Sequence, residues 1–139
     1  MASHIHETLV MLGISILAGL LSTMNIWVNN IKDVRFGLND LYMTLLMTGW
    51  MFLFTGMYFK QLGTSVFGTI LAITMIVMIR KQMFVNDDQF RLGMIPHHSM
   101  GVLMAKKYLE KNTGNVALRV LALKIIASQQ QEIQILKKL

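Results

Sequence analysis

Cysteine is absent from the 139 residues. That excludes disulfides, thiolate zinc sites, iron–sulfur clusters and cysteine nucleophiles together, and it leaves the redox compartment open, since a chain without thiols folds in any of them. Proline occurs once, as Pro96. Charge is scarce: 14% of residues are charged, where a soluble domain carries about a quarter. Acidic residues number 7 against 13 basic ones, for a net charge of +6. Disordered and fibrous chains are excluded by a 54% hydrophobic content and a mean hydropathy of +0.52. A basic balance can mean nucleic acid, but hydropathy this high points to a bilayer instead, and no nucleic-acid partner is expected. What the chain has in excess is methionine, with 13 copies.

Three uncharged apolar runs are long enough to cross a membrane: 8–28, 41–59 and 62–79. A helix of 21 residues extends about 31 Å, the thickness of a hydrocarbon core. The first run reads as a retained helix rather than a signal peptide. Its leading flank holds His4, His6 and Glu7 without Lys or Arg, and no small-residue cleavage site follows. Tyr42 and Tyr58 suit the membrane interfaces. Small residues recur at four-residue spacing (Ser15 with Gly19, Ala18 with Ser22, Gly68 with Ala72), which lets helices approach, within one chain or between chains. Lys32, Arg35, Arg80, Lys81 and Arg91 flank one side and Lys60 the other. By the positive-inside rule the N-terminus lies outside and the C-terminal tail in the cytoplasm.

Residues 1–83 therefore form a three-span region, and 84–139 a helical hairpin of soluble character. Asn86, Asp87 and Asp88 are capping candidates for its first helix, and Asn112-Thr113-Gly114-Asn115 signals the turn. The second helix, 116–139, repeats at heptad spacing: Leu118, Ile125, Glu132 and Leu139 on one row, Ala122, Gln129 and Leu136 on the other. A hairpin of this size buries too little by itself and needs a partner.

The chemistry-bearing pattern lies in the first tail helix, where His97 and His98 are flanked by Met94, Met100 and Met104. Met94 and His98 share a face, as do His97 and Met104. Imidazole with thioether is a soft, neutral donor set that suits Cu(I) better than zinc. Pro96 can kink the helix and aim the histidines. Gly101 and Ala105 leave room for a second helix. The competing reading is methionine packing beside two surface histidines.

The tail resembles the domain of unknown function 305 family, a ferritin-like helical family with copper-binding members. The resemblance covers residues 87–139. It rests on Asp87-x-x-Phe90-x-x-x-Met94-x-x-His97-His98, Met104-Ala105, Ile126 and Gln129-x-x-Glu132-Ile133. It implies His97, His98, Met94 and Met104 as copper ligands. Gln129 and Glu132 then act either as further ligands or acceptors orienting an imidazole, or as buried polar residues that fix register. Met100 is an additional donor candidate, and Asp87 is a cap rather than a ligand. Gly101 stands where the family usually has alanine, and Leu136 where methionine is common. Longer members resemble two copies of this hairpin forming a four-helix bundle, which implies a homodimer or higher oligomer here. The expected fold is thus all-α: three membrane helices and a hairpin that completes a bundle by dimerising.

Two further copper readings come from the residues alone. If Met1 is removed, Ala2-Ser3-His4 offers a square-planar Cu(II) site, with His6 nearby. Met43, Met47 and Met51 on the second span, with Met75 and Met78 on the third, form a thioether row, although methionine is also an ordinary gap-filler in lipid. The spans contain none of the ionisable groups that usually mark ion pathways. An enzyme is not expected. Di-iron ferritin-like sites need Glu-x-x-His motifs, which the tail lacks, and no phosphate loop or metalloprotease motif is present. The expected function is copper binding or sequestration at a membrane; the alternative is a metal-free assembly protein whose hairpin mediates oligomerisation.

Overall fold

The structure, a computed structural model, describes residues 2–111 and 114–139, with side chains from residue 6 onward. Among the described residues there are five α-helices and no strand. They are α1 (Ala2–Leu21), α2 (Leu38–Tyr58), α3 (Leu62–Arg80), α4 (Asp87–Glu110) and α5 (Val116–Lys138). The chain divides into two compact units: one holds α1, α2 and α3, and the other joins Met24–Gly37 to Val85–Leu139.

In the first unit, three segments are long and apolar enough to cross a membrane: His6–Trp27, Leu38–Tyr58 and Leu62–Arg80. Helices α1 and α2 start earlier than their uncharged runs do, so Glu7 and Asp40 fall within them, and Asp40 is buried. At the far end of the first run, α1 stops at Leu21 and a short 3-10 turn, Met24–Trp27, belongs to the other unit. Small residues set the α2–α3 contact. An ideal Cβ on Gly68 would lie 2.3 Å from the Leu53 nitrogen, and one on Gly49 would lie 2.8 Å from that of Ala72. Apolar packing of this closeness replaces the hydrophobic drive that lipid does not supply. Ser15 and Gly19 are buried like Gly68 and Ala72, whereas Ala18 and Ser22 are exposed. The Tyr42 hydroxyl donates to the Met83 carbonyl at 2.8 Å, tying the start of α2 to the turn after α3. Met43 and Met51 are exposed, Met47 and Met78 half-buried and Met75 buried, so the methionines do not form one inward row.

In the second unit, α4 and α5 pair as a hairpin whose helices are capped by asparagines. Asn86 Oδ1 accepts from the Gln89 amide at 2.9 Å, and Asn115 Oδ1 from that of Leu118 at 3.0 Å. Asp87 is the first residue inside α4 and not its cap; there its charge still favours the positive helix end. Asn112 and Thr113 of the turn lie outside the described residues. Helix α4 runs unbroken through Pro96. The proline costs one backbone hydrogen bond, but Ile95, Pro96, Ser99, Val102 and Ala105 form the buried face that holds the helix in place. On α5 the fully buried residues are Ala122 and Ile133. With Ile126, Gln129 and Leu136 half-buried, the seam reads 122, 126, 129, 133, 136. One expected row therefore changes at Glu132, whose buried place Ile133 takes, while Ile125 is half-buried like Ile126. Leu118, Glu132 and Leu139 are exposed.

The loop 24–37 is a folded strap on α4 rather than a free polar turn. Asn25 pinches it closed: its Nδ2 donates to the Arg35 carbonyl at 2.7 Å, and its Oδ1 accepts from the Arg35 amide at 3.0 Å. The Asn29 amide donates to Ser99 Oγ at 2.9 Å, and Ser99 Oγ donates to Asp33 Oδ2 at 2.7 Å. Lys137 of α5 pairs with the other Asp33 oxygen. Asp33 is 5% exposed and Ser99 is fully buried. A buried carboxylate is tolerated because both oxygens are paired.

Candidate metal centre

Met94 and His98 stand one turn apart on α4, and Glu132 faces them from α5. With Phe90, Ile135 and Leu136 they line a cleft of about 170 Å³. His98 Nδ1 lies 3.0 Å from Glu132 Oε2, and the imidazole is 13% exposed. Burial pulls the His98 pKa below its ordinary value of 6.5; Glu132 pushes it back up, and the neighbouring His97 lowers it again. Net lowering keeps the ring neutral near pH 7. The contact lies outside hydrogen-bond geometry, and Nδ1 has no hydrogen-bond partner; a carboxylate beside Nδ1 still favours the tautomer with its proton there, which leaves the Nε2 lone pair free for a metal.

The other candidates lie elsewhere. His97 is exposed, with its ring centroid 5.9 Å from that of His98, and does not line the cleft. Met100 is half-buried and Asp87 exposed, and neither lines it. Met104 and Gln129 line a separate groove of about 410 Å³ with Gly101, Tyr108, Leu118 and Leu121. Sharing a helical face is not sharing an ion: the seven residues from His97 to Met104 rise about 10 Å along the axis, and the ten from Met94 about 15 Å. One chain thus gathers Met94, His98 and Glu132, and not Met104. Gln129 rests instead on Gly101, where an ideal Cβ would come within 2.1 Å of its Oε1. His6 is exposed, and the side chain of His4 lies outside the described residues.

Among the described residues, no group of three or more His, Cys, Asp or Glu side chains is placed to hold a metal ion. A centre here needs thioether sulfur beside imidazole. Sequence reasoning missed the strap residues Asp33, Ser99 and Lys137, which anchor α4 next to His98. No periodicity marks them, since Asp33 and Lys137 are 104 positions apart.

The family described as domain of unknown function (DUF305) matches residues 72–139. The chain is 45% identical over 130 residues to an uncharacterized protein of Acanthamoeba polyphaga mimivirus, covering 90% of this chain and 85% of that one. The chain belongs to the DUF305 family. In this DUF305 protein the match begins at Ala72, inside α3, and extends further towards the N-terminus than the motif residues from Asp87 onward. No solved structure matches the chain.

Proposed function

We propose that this DUF305 protein is a membrane-anchored copper-binding protein that holds Cu(I) between His98 Nε2 and the Met94 thioether. Glu132 orients the imidazole without ligating the ion. The observation that carries this reading is the single cleft that puts a half-buried, neutral histidine, its carboxylate partner and a methionine together. Both donors are neutral, so a monovalent ion brings less unbalanced charge into a low-dielectric cleft than Zn(II) does. Thioether softness favours the same ion. Three apolar helices anchor the site, with the N-terminus outside and the hairpin on the cytoplasmic face by the distribution of Lys and Arg. The role is sequestration or handling of copper, not catalysis.

Two chains then pair to complete a four-helix bundle. The surface for that pairing is the groove edged by exposed Met104, Leu118 and Leu121, with Ala122 and Ile125 also lining it. Copper content of the detergent-purified full chain, wild type against His98→Ala, tests the metal reading. Equal, near-zero copper in both favours the metal-free assembly role instead. Sedimentation of the full chain tests the pairing, with Leu118→Glu expected to yield monomer.

A further inference from the structure

The first half of α5 is apolar on two opposite sides. Ala122 is buried, and Leu118, Leu121 and Ile125 line the groove beside Met104. On the far side, Val116, Val120, Leu123 and Ala127 succeed one another at the spacing of a single helical stripe. All four are exposed, Val116 by 72%, Leu123 by 58% and Val120 by 47%. Further along the same side the stripe gives way to Gln130, Gln134 and Lys138, also exposed. The apolar patch is thus bounded, and an exposed patch of this kind marks a contact surface.

The charges around the stripe are of one sign. Arg119 and Lys124 flank it, one at each edge, and neither pairs with a carboxylate among the described residues. Between positions 106 and 128 the basic residues are Lys106, Lys107, Lys111, Arg119 and Lys124, against Glu110 alone. Glu110 already pairs with Lys107, at 2.7 Å. The complement to this end of the hairpin is therefore an acidic surface with an apolar layer beneath it.

A second copy of the chain does not fit that description. A two-fold contact would set the stripe against itself and bring Arg119 and Lys124 against their own copies, which like charges oppose. A bilayer rich in anionic lipid satisfies both features: acyl chains receive the aliphatic side chains, and lipid phosphates receive the cations. Such a surface is also within reach. Only residues 81–86 separate α3 from α4, and α4 extends about 36 Å. We propose that the stripe Val116, Val120, Leu123 and Ala127 lies on the anionic surface of the bilayer that anchors the chain, leaving the opposite groove free. The inference rests on the three helices spanning that bilayer, but on neither the copper site nor the pairing of chains.

The full chain in nanodiscs tests it by spin labelling, which the absence of cysteine confines to one introduced site. Leu123→Cys puts the label on the stripe, and Gln134→Cys puts it on the polar continuation. Discs of phosphatidylcholine alone are compared with discs of phosphatidylcholine and phosphatidylglycerol in equal parts. In the anionic discs the label at 123 should collide severalfold more with oxygen, relative to an aqueous nickel chelate, than in the neutral ones. The label at 134 should stay aqueous in both. Adding Arg119→Gln and Lys124→Gln should return the label at 123 to water. A label at 123 equally open to the chelate in both discs overturns the proposal, as does immersion that survives loss of the two cations. Shielding from oxygen and chelate alike marks a protein on the stripe and also overturns it. Alkaline extraction of the chain from vesicles reads the spans separately: retention with an aqueous label at 123 defeats the docking alone, whereas release defeats the membrane anchor as well.

Discussion

His98 on α4 and Glu132 on α5 meet at 3.0 Å, Nδ1 to Oε2, across the hairpin, close enough for charge to act on the ring although Nδ1 has no hydrogen-bond partner. That proximity makes Glu132 a positioning residue for His98. Glu132→Gln keeps an oxygen acceptor but removes the charge, so Cu(I) affinity should fall about tenfold or more, the usual effect of losing such a partner. Chelator competition measures it; an unchanged affinity would assign Glu132 to packing alone.

Proton competition gives the second expectation. Burial lowers the His98 pKa from 6.5, so metal affinity should hold as pH falls past that value and decline only at more acidic pH. An ordinary exposed histidine would already lose metal near 6.5. Stability follows the same sign. The unfolded ring takes its proton at the higher pH, so His98's contribution is complete above 6.5 and is lost as pH drops through the lowered folded value. Removing neighbours shifts the inflection in opposite directions: His97→Ala upward and Glu132→Gln further downward. Histidine NMR titration of the three proteins reads both shifts.

The strap clamp makes a third. Asp33→Ala leaves the Ser99 hydroxyl and the Lys137 ammonium without their carboxylate. Breaking a largely buried pair costs about 3 kcal/mol, somewhat less here because Lys137 is partly exposed. Thermal unfolding should register the loss, and proteolysis should quicken within residues 24–37.

Two glycine substitutions should have opposite effects. At Gly68 a methyl group meets the backbone of Leu53 and Gly49, which cannot retreat, so Gly68→Ala should destabilise by about 2 kcal/mol or more. At Gly101 the obstacle is the tip of the Gln129 side chain, whose buried Oε1 has no hydrogen-bond partner. Gln129 can swing outward, and Gly101→Ala should stabilise the hairpin by roughly 0.5–1 kcal/mol through helix propensity. Paired melting curves check both.

Much of this architecture was legible in the residues. Uncharged apolar runs gave three membrane-length helices, because length and hydropathy alone decide that property. The turn signals and asparagines near 86 and 115 marked the hairpin ends. Span edges were less legible, since Glu7 and Asp40 are charged yet helical, and a search for uncharged runs excludes them. On α5, Ile133 rather than Glu132 is buried because the two are adjacent and a heptad count alone does not choose between neighbours, while Ile125 and Ile126 are both half-buried. Within the candidate centre, Met94 and His98 share a face as their spacing suggested, and Glu132, which only the family resemblance singled out beside them, lines the same cleft. Met104 does not, because helical periodicity reports direction around the axis and not distance along it. The strap was invisible, since it depends on contacts between Asp33, Ser99 and Lys137 that no local pattern encodes.

Competition titration of the detergent-purified full chain with a Cu(I) chelator, and in parallel with Zn(II), bears most directly on the metal site. Binding of Cu(I) should be tighter than that of Zn(II). It should be lost in His98→Ala and weakened about tenfold or more in Met94→Leu, a swap that conserves volume and hydrophobicity. Met104→Leu, in the separate groove, should leave it unchanged. Tighter Zn(II) than Cu(I) binding, or Cu(I) affinity indifferent to both His98 and Met94, would contradict the proposed centre.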